Sequence, residues 1–144
     1  MTNTHFHTTI KVNASTEEAL KKINQVDEWW AKKVKGNAEK LYDKFTVDFG
    51  TTWVNFQITE MVPGKKLVWK VTDCNLDWIK TKKEWNGTDV VFDISENENL
   101  TQIDFTHIGL IPSCECYEDC KLGWTEHVTQ SLVMLINDGK GMPQ

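Results

Sequence analysis

The 144-residue chain holds no apolar run near the length that crosses a bilayer, and Met1 to Thr9 lacks the positive start and greasy centre of a secretion signal. A cytoplasmic protein without a membrane partner is therefore expected. Basic excess is also missing. The formal net charge of -5 and pI near 5.3 oppose nucleic acid as a partner, because a polyanion repels an acidic protein. No internal repeat or low-complexity tract is present, and the length suits one domain over 1–144 that buries about two thirds of its unfolded surface. No Ser-His-Asp order, phosphate loop or paired-carboxylate signature occurs, so no catalytic residue is assigned and a non-enzymatic role is favoured.

Four cysteines are present, and their spacing is poor for a metal. Of Cys114, Cys116 and Cys120, only the last two fall one helical turn apart, whereas structural zinc sites pair two closely spaced ligand units. No metal and no cofactor are expected. Glu115, Glu118 and Asp119 surround Cys116 and disfavour a thiolate, and without secretion the four cysteines should stay reduced. The triplets at Asn13, Asn86 and Asn99 then read as turns and caps, not glycosylation sites.

Tryptophan is abundant, with seven residues. Each indole carries a large apolar area and one donor, which suits a thick core or the wall of a ligand pocket. Period-two alternation marks strands at Phe6–Val12, Phe45–Phe49, Thr52–Met61, Leu67–Val71, Val90–Ile94 and Ile103–His107. Turn chemistry at Gly50-Thr51, Pro63-Gly64 and Asn86-Gly87 joins them into an antiparallel meander of about six strands. Lys32 to Lys44 reads as a polar connection, and Thr72 to Lys83 as a loop or irregular strand. After the first strand, Ser15-Thr16-Glu17-Glu18 spells a capping box for a short helix, and the cluster from Val26 to Trp30 makes a second. Trp29 and Trp30 cannot share one face of a strand, so at least one should bend over a sheet edge or a cavity mouth.

The segment from Cys114 to Pro143 contains one long helix. Leu122, Thr125, Thr129, Leu132 and Ile136 form one stripe at helical spacing, with Trp124, Val128, Ser131 and Leu135 beside it. Gly139 should end the helix at positive φ. A long helix after many strands is most simply buried against a curved sheet, an α+β arrangement that can enclose a cavity.

This order resembles the helix-grip fold of the START-like (SRPBCC) superfamily. It is similar in particular to the branch named after the activator of the heat-shock-protein-90 ATPase, through Trp29-Trp30, Glu84-Trp85-Asn86-Gly87-Thr88, Thr106-His107-Ile108-Gly109-Leu110 and Gly139-Lys140-Gly141-Met142-Pro143. Glu115-Cys116-Tyr117, Cys120, Gly123-Trp124 and Ser131-Leu132 resemble its bacterial single-domain members. The resemblance implies a hydrophobic ligand-binding domain. It places the co-chaperone role in proteins with an additional domain, for which this chain has no room, so chaperone association ranks below ligand binding.

The leading expectation is a small apolar or aromatic ligand held between sheet and helix. The cavity candidates are Trp53, Phe56, Trp69, Trp78, Trp85, Phe92, Phe105, His107, Trp124, His127, Val128 and Ser131. A cyclase- or hydratase-like enzyme would need a cavity His or Glu to move a proton, with His107, His127 and Glu84 the candidates. Either a monomer or a homodimer is compatible with this reading.

Overall fold

The computed structural model describes residues 4–144; Met1–Asn3, part of the N-terminal stretch read for a secretion signal, lie outside them. Seven strands form one antiparallel sheet in the order β1-β7-β6-β5-β4-β3-β2. They are β1 (Phe6–Val12), β2 (Val34–Gly36), β3 (Lys44–Asp48), β4 (Trp53–Val62), β5 (Lys66–Asn75), β6 (Asp89–Asn97) and β7 (Leu100–Ile108). Helices α1 (Thr16–Ile23) and α2 (Val26–Trp29) follow β1. Ser15 caps α1 by accepting from the Glu18 amide at 3.0 Å. The Glu18 carboxylate turns instead to Lys22, 3.9 Å away, so half of the expected capping box forms.

The meander follows the sequence alternation. Val54, Phe56 and Ile58 of β4 are buried, as are Leu67, Trp69 and Val71 of β5 and Ile103, Phe105 and His107 of β7. Register shifts between β4 and β5 at Asn55/Phe56 and at Ile58/Glu60 add local bend and twist to the sheet. The strand not foreseen is β2, inside the polar connection. Its three residues show no burial alternation, and it joins the edge of the sheet through β3. Gly36 sits there at φ 89°, where a Cβ would lie 2.4 Å from the Lys44 carbonyl oxygen.

The terminal helix comprises α3 (Tyr117–Glu126), a π-helical segment His127–Leu132, and α4 (Val133–Asp138). Gly139 closes it at φ 82°. Its buried side keeps the whole second stripe, Trp124, Val128, Ser131 and Leu135, but only the end of the first: Leu122 is 64% exposed and Thr125 faces solvent, whereas Cys120, Trp124, Val128, Leu132 and Ile136 are buried. That series advances four residues at a time. In a uniform α-helix of 3.6 residues per turn it would drift around the axis by about 40° per step. The wider π turns absorb most of this drift and keep one stripe on the sheet.

Candidate ligand-binding cleft

An aromatic cluster fills the centre of the grip. Trp69 lies 4.9 Å from Phe92 and 5.1 Å from Phe45, centroid to centroid, and Phe105 joins Phe92 (5.2 Å) to Trp124 (4.7 Å). Phe56, Trp69, Phe92, Phe105 and Val128 are each no more than 1% exposed. These five expected cavity residues form closed core. Trp69 pays a penalty for this position, since its buried indole N–H has no acceptor.

His107 is also closed off. Its Nδ1 accepts from Trp124 Nε1 at 3.0 Å, which leaves the proton on Nε2 to donate to Thr88 Oγ1 at 2.9 Å; that hydroxyl in turn donates to the Trp85 carbonyl at 2.6 Å. Burial, with a smaller push from His5, lowers the His107 pKa from 6.5 to about 3. A neutral imidazole with both nitrogens engaged has no lone pair free for proton transfer. Ser131 is likewise committed: its hydroxyl donates to the Trp29 carbonyl at 2.6 Å and accepts from the Met142 amide at 2.7 Å.

This Ser131 bridge begins a seam that fixes the Trp29-Trp30 pair. The Trp30 carbonyl accepts from the Gln144 amide at 2.9 Å, and the Lys32 amide donates to the Gln144 carbonyl at 2.8 Å. Gly141 passes so close that a Cβ would meet the Glu28 carbonyl oxygen at 2.5 Å. Both indoles are buried in a helical turn, neither in a strand, and Trp30 leans over Trp124 at 4.7 Å.

The opposite wall comes from the loop between β5 and β6. Glu84 accepts from the amides of Glu115 and Cys116 at 2.8 and 3.0 Å, while Glu115 accepts from the amides of Lys80 and Thr81, both at 2.9 Å. Glu84 is thus a ligand for the helix N-terminus, where backbone donors are otherwise unpaired. Those reciprocal amide bonds hold the Glu115 carboxyl below the usual carboxylate range. Trp78 Nε1 adds a bond to Asp119 at 3.0 Å, and Trp85 Nε1 one to Cys116 Sγ at 3.4 Å.

Between these walls lies an open cleft of about 270 Å³. Trp30, Phe49, Trp78, Trp85 and Trp124 line it, with Asp119 and His127 as its ionisable polar residues. His127 is half-buried, and burial pushes its pKa below the ordinary value despite the opposing Glu126 charge. Cys120 also reaches the cleft. Its neighbour Cys116 is pushed well up by the hydrogen bond with the Cys120 thiol and by burial, so Cys116 is not a ready thiolate. All four cysteines are free, and among the described residues no cluster of three His, Cys, Asp or Glu side chains is arranged to hold a metal ion. A larger groove of about 560 Å³ runs between α1 and β2, but charged and amide side chains such as Glu17, Asn24, Asp27 and Glu39 dominate it. The smaller cleft has the better ligand-binding chemistry, apolar walls with few polar groups.

Of the expected cavity residues, the cleft gathers Trp78, Trp85, Trp124 and His127. Trp53 lies on the opposite face of the sheet, with Lys83 Nζ 5.0 Å above its ring. The pleat requires this, since Trp53 and Phe56 differ by an odd number of positions and cannot face the same side. The reading missed Phe49 and Asp119 as wall residues. Phe49 sits beyond the end of β3 in the Gly50 turn, and Asp119 stood out only as a charge near the cysteines.

A curved sheet closed over one long helix defines the helix-grip class. The family model for Activator of Hsp90 ATPase homolog 1-like protein matches residues 18–137, and the chain belongs to that family. No functionally curated protein matches by sequence. Among solved structures, the Aha1 dimer from Colwellia psychrerythraea superimposes with a TM-score of 0.78 at 22% identity, covering 96% of this chain and 99% of that one. Bacillus halodurans protein BH1534 gives 0.70 at 16% identity, covering 95% and 100%. DynU16, from the dynemicin biosynthetic locus, gives 0.66 at 15% identity, covering 94% of this chain and 48% of its own. At these identities the likeness carries the fold. Among the described residues, no helix is long and apolar enough to cross a membrane.

Proposed function

We propose that the protein binds a small aromatic or apolar molecule in the cleft between Trp30 and the β5–β6 loop, at the end of the grip and not at its centre. The observation that carries this reading is the division of the tryptophans. Trp29 and Trp69 are sealed in core, whereas Trp30, Trp78, Trp85 and Trp124 line an open space of about 270 Å³. At ~30 Å³ per water, that space equals about nine water molecules. A planar ligand of about ten non-hydrogen atoms fits. Displacing poorly ordered water from indole faces can give micromolar affinity, about 8 kcal/mol at the standard state, without a charged contact.

The seven indole N–H resonances provide the test. Titration with 2-naphthol should move the signals of Trp30, Trp78, Trp85 and Trp124 and leave those of Trp29, Trp53 and Trp69 in place. Absence of saturable shifts up to millimolar probe, or shifts confined to Trp53, would reject the cleft as a binding site.

A further inference from the structure

The cleft walls carry a distinctive charge pattern. Three of the four indole N–H groups on the wall are already hydrogen-bonded, which leaves that of Trp30: Trp78 donates to Asp119, Trp85 to Cys116 and Trp124 to His107. Five aromatic rings line the space, and the faces of such rings are electron-rich. Asp119 adds a carboxylate at the rim. No lysine lines the space, and the sequence has no arginine. Three lysines of neighbouring segments are engaged elsewhere. Lys82 Nζ donates to the carbonyls of Asp77 and Ile79 at 2.8 and 3.1 Å, and Lys33 and Lys35 pair with Asp48 at 3.5 and 3.4 Å. His127, the remaining basic group on the wall, stays neutral at neutral pH because burial disfavours its proton.

We infer that the cleft selects an organic cation, a quaternary ammonium group seated against the indole faces with Asp119 as its counter-charge. This rests on the cleft being a ligand site, and it names the chemical class of the ligand. A cation over aromatic faces is attracted by the ring quadrupoles, more strongly where water is excluded. A primary ammonium brings three donors that rings satisfy poorly, and the hydrogen-bonding side chains of the lining are confined to Thr52, Asp119, Cys120, His127 and Gln144. A fully substituted nitrogen has no donors to satisfy and matches a wall of rings. The two large aromatic side chains at the mouth, Trp78 at 49% exposure and Phe49 at 40%, are then surface that such a ligand would cover.

Three isosteric probes separate charge from shape: (4-hydroxyphenyl)trimethylammonium, neutral 4-tert-butylphenol and anionic 4-hydroxybenzenesulfonate. Calorimetry and the indole resonances should show the ammonium binding about ten-fold or more tightly than the phenol, and the sulfonate more weakly than both. Asp119→Asn, which keeps an acceptor for Trp78 Nε1, should reduce the ammonium's advantage over the phenol several-fold. Equal or tighter binding of the phenol, or preference for the sulfonate, would overturn cation selection while leaving the cleft as a binding site. An ammonium advantage untouched by both Asp119→Asn and Trp78→Leu would also overturn it. If none of the three probes moves the cleft indoles, both readings fall together.

Discussion

Replacing His107 with Gln should flatten the acid side of the stability profile. His107 is fully buried, and its pKa falls from 6.5 to about 3 in the fold. The unfolded chain therefore takes up a proton below pH 6.5 that the folded chain refuses until about pH 3. The contribution of the neutral imidazole is complete above 6.5 and declines as pH falls toward 3. At ~1.4 kcal/mol per pH unit, His107 alone removes about 2.7 kcal/mol between pH 7.5 and pH 4.5. The groups facing its ring, Trp85, Trp124 and Thr88, do not titrate in this range, and His5 is the neighbouring charge that opposes its protonation. His127, with its pKa also lowered by burial, loses stability in the same direction, but it is present in both proteins and cancels in their difference. The lowered carboxyls of Asp43, Asp48, Asp73 and Glu115 lose their contributions below their ordinary values of 3.8 to 4.5, outside most of this window.

A Gln amide can accept from Trp124 and donate to Thr88 without titrating. The variant should lose about 1 to 2 kcal/mol at pH 7.5 through imperfect fit and close the gap at pH 4.5. Urea denaturation at half-unit pH steps measures both curves. A difference between the two proteins that stays constant within about 0.5 kcal/mol across the range would refute the buried neutral imidazole.

Two further outcomes follow from the seams that hold the cleft walls. Gly141→Ala places a methyl 2.5 Å from the Glu28 carbonyl oxygen and 2.9 Å from that of Ser131, so it should cost about 2 to 3 kcal/mol and shift the Trp30 indole resonance; an unchanged melting temperature would show that the tail does not bear on Trp30. Glu115→Ala removes the acceptor of the Lys80 and Thr81 amides, so hydrogen exchange at those two positions should accelerate while exchange in β6 and β7 stays slow. Equal exchange in both proteins would mean that the loop is held by other contacts.

The strands were legible because one buried face writes a period of two. Phe45 with Val47 on β3 and Ile103 with Phe105 on β7 need no partner information to be read. Strand β2 carries no such signal, because its side chains are half-buried or exposed and its place comes from backbone pairing with β3. The helix was legible in position, in its end and in the facing of the Trp124, Val128, Ser131 and Leu135 stripe, but not in that of its first turns. Periodicity at 3.6 residues admitted Leu122 to the buried stripe, since nothing in residue type announces π turns. The site was half legible. Tryptophan content pointed to a pocket or a core, and both exist, but Trp69 and Trp124 differ only in what surrounds them. His107 could not be recognised as locked, because its partners Thr88 and Trp124 lie 19 and 17 positions away. The placement of Trp53 was the exception. Its parity relative to Phe56 was written in the chain and already put it outside.

The π-helical segment His127–Leu132 has a consequence for how this chain tolerates change in length. It behaves as one surplus residue that retunes the phase between the two ends of the terminal helix. Removing a single residue there would restore a uniform α-helix and leave everything beyond it in about the same phase relative to Trp124, because the lost step of ~100° equals the drift that the wider turns now absorb. Leu135 and Ile136 would stay on the sheet, whereas one residue added in α-helical geometry would turn them away by about 100° and swing Gly139, with the tail that braces Trp30, along with them. Point substitutions and a single-codon deletion at these six positions act where they fall, whereas a single-codon insertion among them acts about ten residues downstream, on the cleft wall.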